Sequence, residues 1–257
     1  MRETAWRHLR ADELRARAAE NPVVILPLAA IEQHGPHLPV EVDAVLGEAV
    51  AGAVAQRLEA AGQAALTLPV FWSGISEHHL SLGGTLSLDH AAFAAAVEAL
   101  ARSLLRQGFR RILLLNAHGG NDSATRWLVE TLTPKLGVPI LGMTYWHAAA
   151  APIAALLETQ SALLHACAAE TALMLHLKPD LVRMDLAPPP SPDPPEAPEP
   201  GILRWRSLQS RSPHGVIGDP RSASAALGAR LLAAIADCIA AQLSAPGFWT
   251  QEPGVAR

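Results

Sequence analysis

Residues 111–121 read RILLLNAHGGN, an apolar run that stops at a polar turn holding Asn116, His118 and two glycines. Four consecutive large aliphatic residues suit a strand buried on both faces. In an open sheet of parallel strands, ligands collect beyond the carboxyl ends of the strands. The glycines at 119 and 120 would let backbone N–H groups approach such a ligand. A plain glycine turn with a capping Asn is the ordinary alternative.

Outward from this stretch the same rhythm repeats. Short β-rich runs at 23–28 and 65–71 alternate with Ala/Leu-rich runs at 44–61 and 90–107. Alternating strands and helices predict an α/β fold: a layered sandwich with a mainly parallel central sheet and helices on both faces. Further strand candidates lie at 138–144 and 181–184, and amphipathic helices at 162–177 and 222–243. Asp89 is placed to cap the helix starting near His90, and Asn121 or Asp122 the one after the glycine pair. The stretch 187–200, APPPSPDPPEAPEP, can build neither helix nor sheet ladder and reads as an extended surface loop. No internal repeat is evident, and 257 residues suit one domain spanning 1–257.

Composition narrows the function. Half of the residues are apolar and 17% charged, so a folded core is expected rather than disorder. The net charge of −4, without a Lys/Arg block, argues against a nucleic-acid partner. The apolar helical stretches carry Glu98 and Arg102, or Arg230 and Asp237, so no membrane partner is expected. The start of the chain lacks the pattern of a secretion signal, and Cys167 and Cys238 do not form a paired ligand spacing. Buried thiols in the cytoplasm are the expectation.

Two more stretches carry chemistry. In Glu32-Gln33-His34-Gly35-Pro36-His37, which follows the first strand, extended geometry puts Glu32 and His34 on one side, and Asp43 comes nine residues after His34. A carboxylate and an imidazole there suit zinc or manganese, and a further acid can bridge two ions. An exposed loop is the bland reading. In HACAAET, residues 165–171, Glu170 falls in an apolar helical pattern and would need a partner if buried. A metal would serve, with His165 nearby as a proton carrier; a helix-surface salt bridge would serve as well.

EQHGPHLP with its following Asp, NAHGGN and HAxxxET occur in this order, with further agreement at 83–87 and 215–220. Together they resemble the creatininase family across most of the chain. The resemblance implies a two-metal centre holding zinc and/or manganese, with iron possible, and a closed homo-oligomer, with a hexamer favoured. By motif position Glu32, His34, Asp43, His118 and Glu170 match the metal ligands, and Asp43 the bridging carboxylate. His165 matches the histidine that hands a proton to the leaving nitrogen; with Glu170 it is the catalytic candidate. One departure matters: members that hydrolyse creatinine carry a carboxylate two residues after the histidine matched by His118, where this chain has Gly120. NAHGGN looks closer to relatives acting on formamides or modified peptides.

The expected activity is metal-dependent hydrolysis of a non-peptide C–N bond in a small cyclic amide or formamide. A metallopeptidase trimming a small modified peptide, creatinine hydrolysis itself and a non-enzymatic metal-binding scaffold are the alternatives. His78, Gly119, Gly120 and Trp146 are the candidate substrate contacts, with His37, His79 and His147 as further neighbours; at 201–212, Trp205 lies among Arg204, Arg206 and Arg211, a mixture suited either to pairing or to an active-site mouth. A serine or cysteine nucleophile is not indicated, since no Gly-x-Ser-x-Gly elbow is present.

Overall fold

The computed structural model describes residues 2–191 and 204–250. Four parallel strands form one sheet in the order β2-β1-β3-β4: β1 (Val23–Leu28), β2 (Ala65–Thr67), β3 (Arg111–Asn116) and β4 (Ile140–Thr144). The helices are α1 (Ala11–Ala18), α2 (Val42–Ala60), α3 (His90–Arg106), α4 (Asp122–Leu136), α5 (Tyr145–Ala148), α6 (Ala150–Leu156), α7 (Ala168–Leu177), α8 (Leu208–Arg211) and α9 (Ala225–Leu243).

The central strands β1 and β3 alternate between two cores. Val23, Ile25, Leu113 and Leu115 face α2, α7 and α9, while Val24, Leu26, Ile112 and Leu114 face α3 and α4. Each such fully buried aliphatic side chain contributes roughly 1.5–3 kcal/mol. The expected layered α/β sandwich with a parallel sheet is therefore what the chain forms. Helix α9 is long and apolar enough to cross a membrane by length and composition, but it packs on α2 and α7. Its approach to α7 depends on Gly228, where a Cβ would lie 1.9 Å from the Ala172 carbonyl oxygen.

Several expected boundaries shift. Asp89 caps α3 by accepting from Ala92 N, as its position predicts. Asn121 does not cap α4 with its side chain. It is instead buried, accepting from Ile75 N (2.9 Å) and donating to the Ala29 carbonyl (3.1 Å). The helix expected over 162–177 begins only at Ala168, because Ala166 takes φ +52° and the His165 carbonyl accepts from Ile217 N. The strand candidate at 181–184 is instead a pair of 3-10 turns, Pro179–Leu181 and Met184–Leu186. In the Pro-rich stretch, 192–200 lies outside the described residues, and Ser191 forms a bridge with Gly218. Cys167 is buried as expected, whereas Cys238 is only half-buried.

Candidate metal centre

Parallel strands end on the same edge of the sheet, and the chemistry-bearing residues gather there. Glu32 and His34 lie past the end of β1, in an irregular segment rather than on the strand, and His118 lies past the end of β3. Asp43 and Glu170 sit in the first turns of α2 and α7, where the helix dipole favours an anion. His165 is in the turn that leads into α7. All five predicted ligands are at most 4% exposed.

Asp43 is the hub. Its Oδ1 lies 3.2 Å from His34 Nε2 and its Oδ2 3.1 Å from His118 Nδ1. Glu32 Oε2 is 3.2 Å from the same His118 nitrogen, and Glu170 Oε2 is 3.9 Å from His34 Nε2. Donor atoms thus group as Glu32, Asp43 and His118, and as His34, Asp43 and Glu170. A third group, Glu32, His34 and His165, also converges, so geometry alone would admit His165 as a ligand.

The outward nitrogens fix how these imidazoles point. His118 Nε2–H donates to the Ile75 carbonyl (3.0 Å), His34 Nδ1–H to the Glu32 carbonyl (3.1 Å), and His165 Nε2–H to the Gln33 carbonyl (3.0 Å). Each therefore turns a lone pair toward the carboxylates, the arrangement that orients metal-bound histidines. Glu32 Oε2, Asp43 Oδ2 and His34 Nε2 are buried yet make no hydrogen bond. Their 3.1–3.2 Å approaches are short in distance but lack hydrogen-bond alignment. Orphaned lone pairs aimed at one another carry a desolvation cost that a cation between them would offset. The residues present thus fit a pair of divalent ions.

The electrostatics agree. Burial opposes the charge on His34, but Asp43, Glu170 and Glu32 outweigh it and hold its pKa up at about 9. His118 is raised well above the ordinary imidazole value in the same way, by Glu32 and Asp43 against burial. Burial pushes Glu170 up to about 8. Without metal, protons take the places that cations would fill. Burial lowers His165 well below its usual value, with the charges of His34 and His79 adding to the effect.

A cavity of about 200 Å³ opens above the cluster. Of the predicted substrate contacts, His78, Gly119 and Trp146 line it, as do Arg211 and four residues that the sequence did not mark as substrate contacts, Leu163, Leu164, Leu208 and Ile217. Burial, helped by the charges of His118 and Arg211, lowers His78 to about 4. Gly120 is not part of the wall: it packs behind His118, where a Cβ would lie 2.0 Å from the Ile75 oxygen and 2.4 Å from His118 Nε2. His147 points away, 3.8 Å from Asp122 at another surface pocket. His37 is buried and bonded to Thr171 Oγ1 at 2.9 Å.

Sequence reasoning missed the role of Gln33. Its amide donates to His79 Nδ1 (3.2 Å), which leaves His79 Nε2–H facing Glu32 Oε1 at 3.4 Å. The pair braces the Glu32 carboxylate. Only their neighbourhood to the motif pointed to them. Burial pushes the Cys167 thiol up to about 11, in keeping with an inert cysteine rather than a nucleophile.

Comparison with known proteins gives the same picture. Residues 7–243 match the creatininase family, described as creatinine amidohydrolase. The chain is 33% identical to the mycofactocin precursor peptide peptidase of Mycobacterium tuberculosis, over 84% of this chain and 82% of that protein. It is also 33% identical to the creatinine amidohydrolase of Pseudomonas putida, over 81% and 87%. Among solved structures, a manganese form of creatininase superposes with TM-score 0.79 at 28% identity, covering 94% of this chain and 98% of that one. A zinc–zinc form of a creatininase variant gives 0.80 at 28% identity, covering 95% and 98%. With the parallel sheet, the buried carboxylate–imidazole cluster and a match over most of its length, this chain belongs to the creatininase family of metal-dependent amidohydrolases.

Proposed function

We propose that this chain hydrolyses a C–N bond in a small cyclic amide or formamide, with Glu32, Asp43 and His118 holding one divalent cation and His34, Asp43 and Glu170 the other. The observation that carries this reading is Asp43, whose two carboxylate oxygens answer to two different imidazoles. Zinc or manganese bound there would supply a water with its pKa lowered toward about 7 and a polarised carbonyl.

The chain's own residues do the rest. His79, held by Gln33, keeps Glu32 turned inward. His165 lines the cavity with its Nε2–H anchored on the Gln33 carbonyl, so Nδ1 is the atom that can take up and release a proton. Burial disfavours its charged form, so it gives that proton readily to a departing nitrogen. Trp146, Leu163, Leu164 and Ile217 limit the water around the reacting groups. In this reading residues 1–257 form one domain, and the chain assembles in the cytoplasm as a homo-oligomer, a hexamer by family resemblance.

A second reading, trimming of a small modified peptide, has the support of the mycobacterial peptidases and of residue 120. The packing of Ile75 and His118 leaves no room there for the carboxylate that creatinine-hydrolysing members carry. Creatinine is therefore the least favoured substrate. Metal content per chain, measured with a screen of creatinine, formamides and short peptides with and without chelator, tests the proposal. About two ions and chelator-sensitive amide cleavage are expected; no bound first-row metal after reconstitution with zinc or manganese would refute it.

A further inference from the structure

The floor of the cavity is anionic and imidazole-rich, and its side walls are apolar. Among the described residues that line it, Arg211 is the single one with a guanidinium or ammonium group. Arg211 ends α8, which is anchored in two ways. Ser207 caps the helix by accepting from Ser210 N, and Leu208 is buried among the cavity-lining residues. Helix α8 also packs against the 3-10 turn Glu77–Leu82, the turn that carries His78 and His79. Arg211 itself is half-buried, lines the cavity together with the carboxylates of Glu32, Asp43 and Glu170, and lies close enough to His78 for its charge to help lower that imidazole's pKa.

We infer that Arg211 is a specificity-determining residue that receives the carboxylate of an anionic amide substrate, whose apolar body rests on Leu163, Leu164, Leu208 and Ile217 and whose C–N bond lies over Asp43. The inference builds on the hydrolase reading and adds the substrate class: an N-acyl or N-formyl amino acid with a free carboxylate. A guanidinium matches a carboxylate with two parallel N–H···O bonds. At a half-buried guanidinium such charge-assisted bonds discriminate an acid from its neutral amide by on the order of tenfold to a hundredfold in affinity.

The probes are N-formyl-leucine and N-formyl-leucinamide, titrated calorimetrically into zinc-loaded wild type, Arg211→Gln and Arg211→Lys, with melting curves for each variant. The wild type should bind the acid at least about tenfold more tightly than the amide, Arg211→Gln should bring the ratio near one, and Arg211→Lys should recover part of it. An acid preference that survives Arg211→Gln would assign recognition to the metals and overturn the inference. No acid preference, or no binding of the acid by wild type, overturns it too. Hydrolysis is followed in the same samples. Arg211-dependent binding of the acid without cleavage of either probe supports the role of Arg211 while counting against the hydrolase reading.

Discussion

The imidazole of His118 donates its Nε2–H to the carbonyl oxygen of Ile75, 3.0 Å away, and that bond turns Nδ1 toward both Glu32 and Asp43. A residue after β3 is thus aimed by a backbone atom from the segment before the 3-10 turn Glu77–Leu82. Replacing His118 by Ala should lower bound metal from about two ions toward one and cut amide turnover by at least about a hundredfold, with the chain still folded by circular dichroism. Full activity in that variant would rule out the ligand assignment.

Gly120 lies behind the same contact. In Gly120→Ala the new methyl would fall 2.0 Å from a backbone oxygen, so either Ile75 or His118 must move. Overpacking of this kind costs about 1–3 kcal/mol, and any shift of His118 weakens its aim. The melting temperature and zinc affinity should fall together. Gly120→Glu alone should yield no creatinine hydrolysis; creatinine turnover by that variant would mean that the segment around Ile75 yields more readily than its packing implies.

Asn121 holds that segment in place, accepting from Ile75 N and donating to Ala29 O. Asn121→Ala leaves two buried backbone groups without partners, a loss of about 2–4 kcal/mol. Chemical denaturation measures it directly, and a loss under about 0.5 kcal/mol would show that water replaces the amide.

Stability without metal should depend on pH from both sides. His34 has a folded pKa raised to about 9 from 6.5, and Glu170 one raised to about 8 from 4.5, so both contributions fade as pH climbs through those values. Burial lowers His37 and His78 to about 4 from 6.5, so their contributions fade as pH falls toward 4. Melting curves in chelator should therefore peak near pH 6.5. Zinc should flatten the alkaline side, because the bound forms of His34, His118 and Glu170 are unprotonated, and loading should release protons measurable by calorimetry in buffers of different ionisation enthalpy. A metal-free melting temperature that stays level from pH 6.5 to 9 contradicts this account.

The sandwich was legible because β1 and β3 are apolar at every central position, which only a doubly covered sheet explains. Glu32, His34, Asp43, His118 and Glu170 were legible by motif, and the folded chain brings all five together. The onset of α7 was hidden: 162–167 is as rich in Ala and Leu as a helix, and only a tertiary bond from Ile217 N to the His165 carbonyl shows why it is not one. Asn121 carried a capping signal, yet its amide serves a distant loop, since one polar side chain next to a turn fits either use. The bracing of Glu32 by His79 and Gln33 has no local pattern, because a 3-10 turn lacks the periodicity that marks longer helices.

Asp43 gives α2 a further part to play. A nineteen-residue rod, packed against α7 and α9, delivers one carboxylate to both halves of the centre. The two halves therefore share one ruler. A substitution on the buried side of α2 that slides the helix along its axis detunes both at once, and no compensating change at Glu32 or Glu170 alone can restore them. The exposed side, at Gln56 and Ala60, can drift without that penalty. Engineering this centre for a different metal spacing thus begins with the length and seating of one helix, not with the ligands themselves.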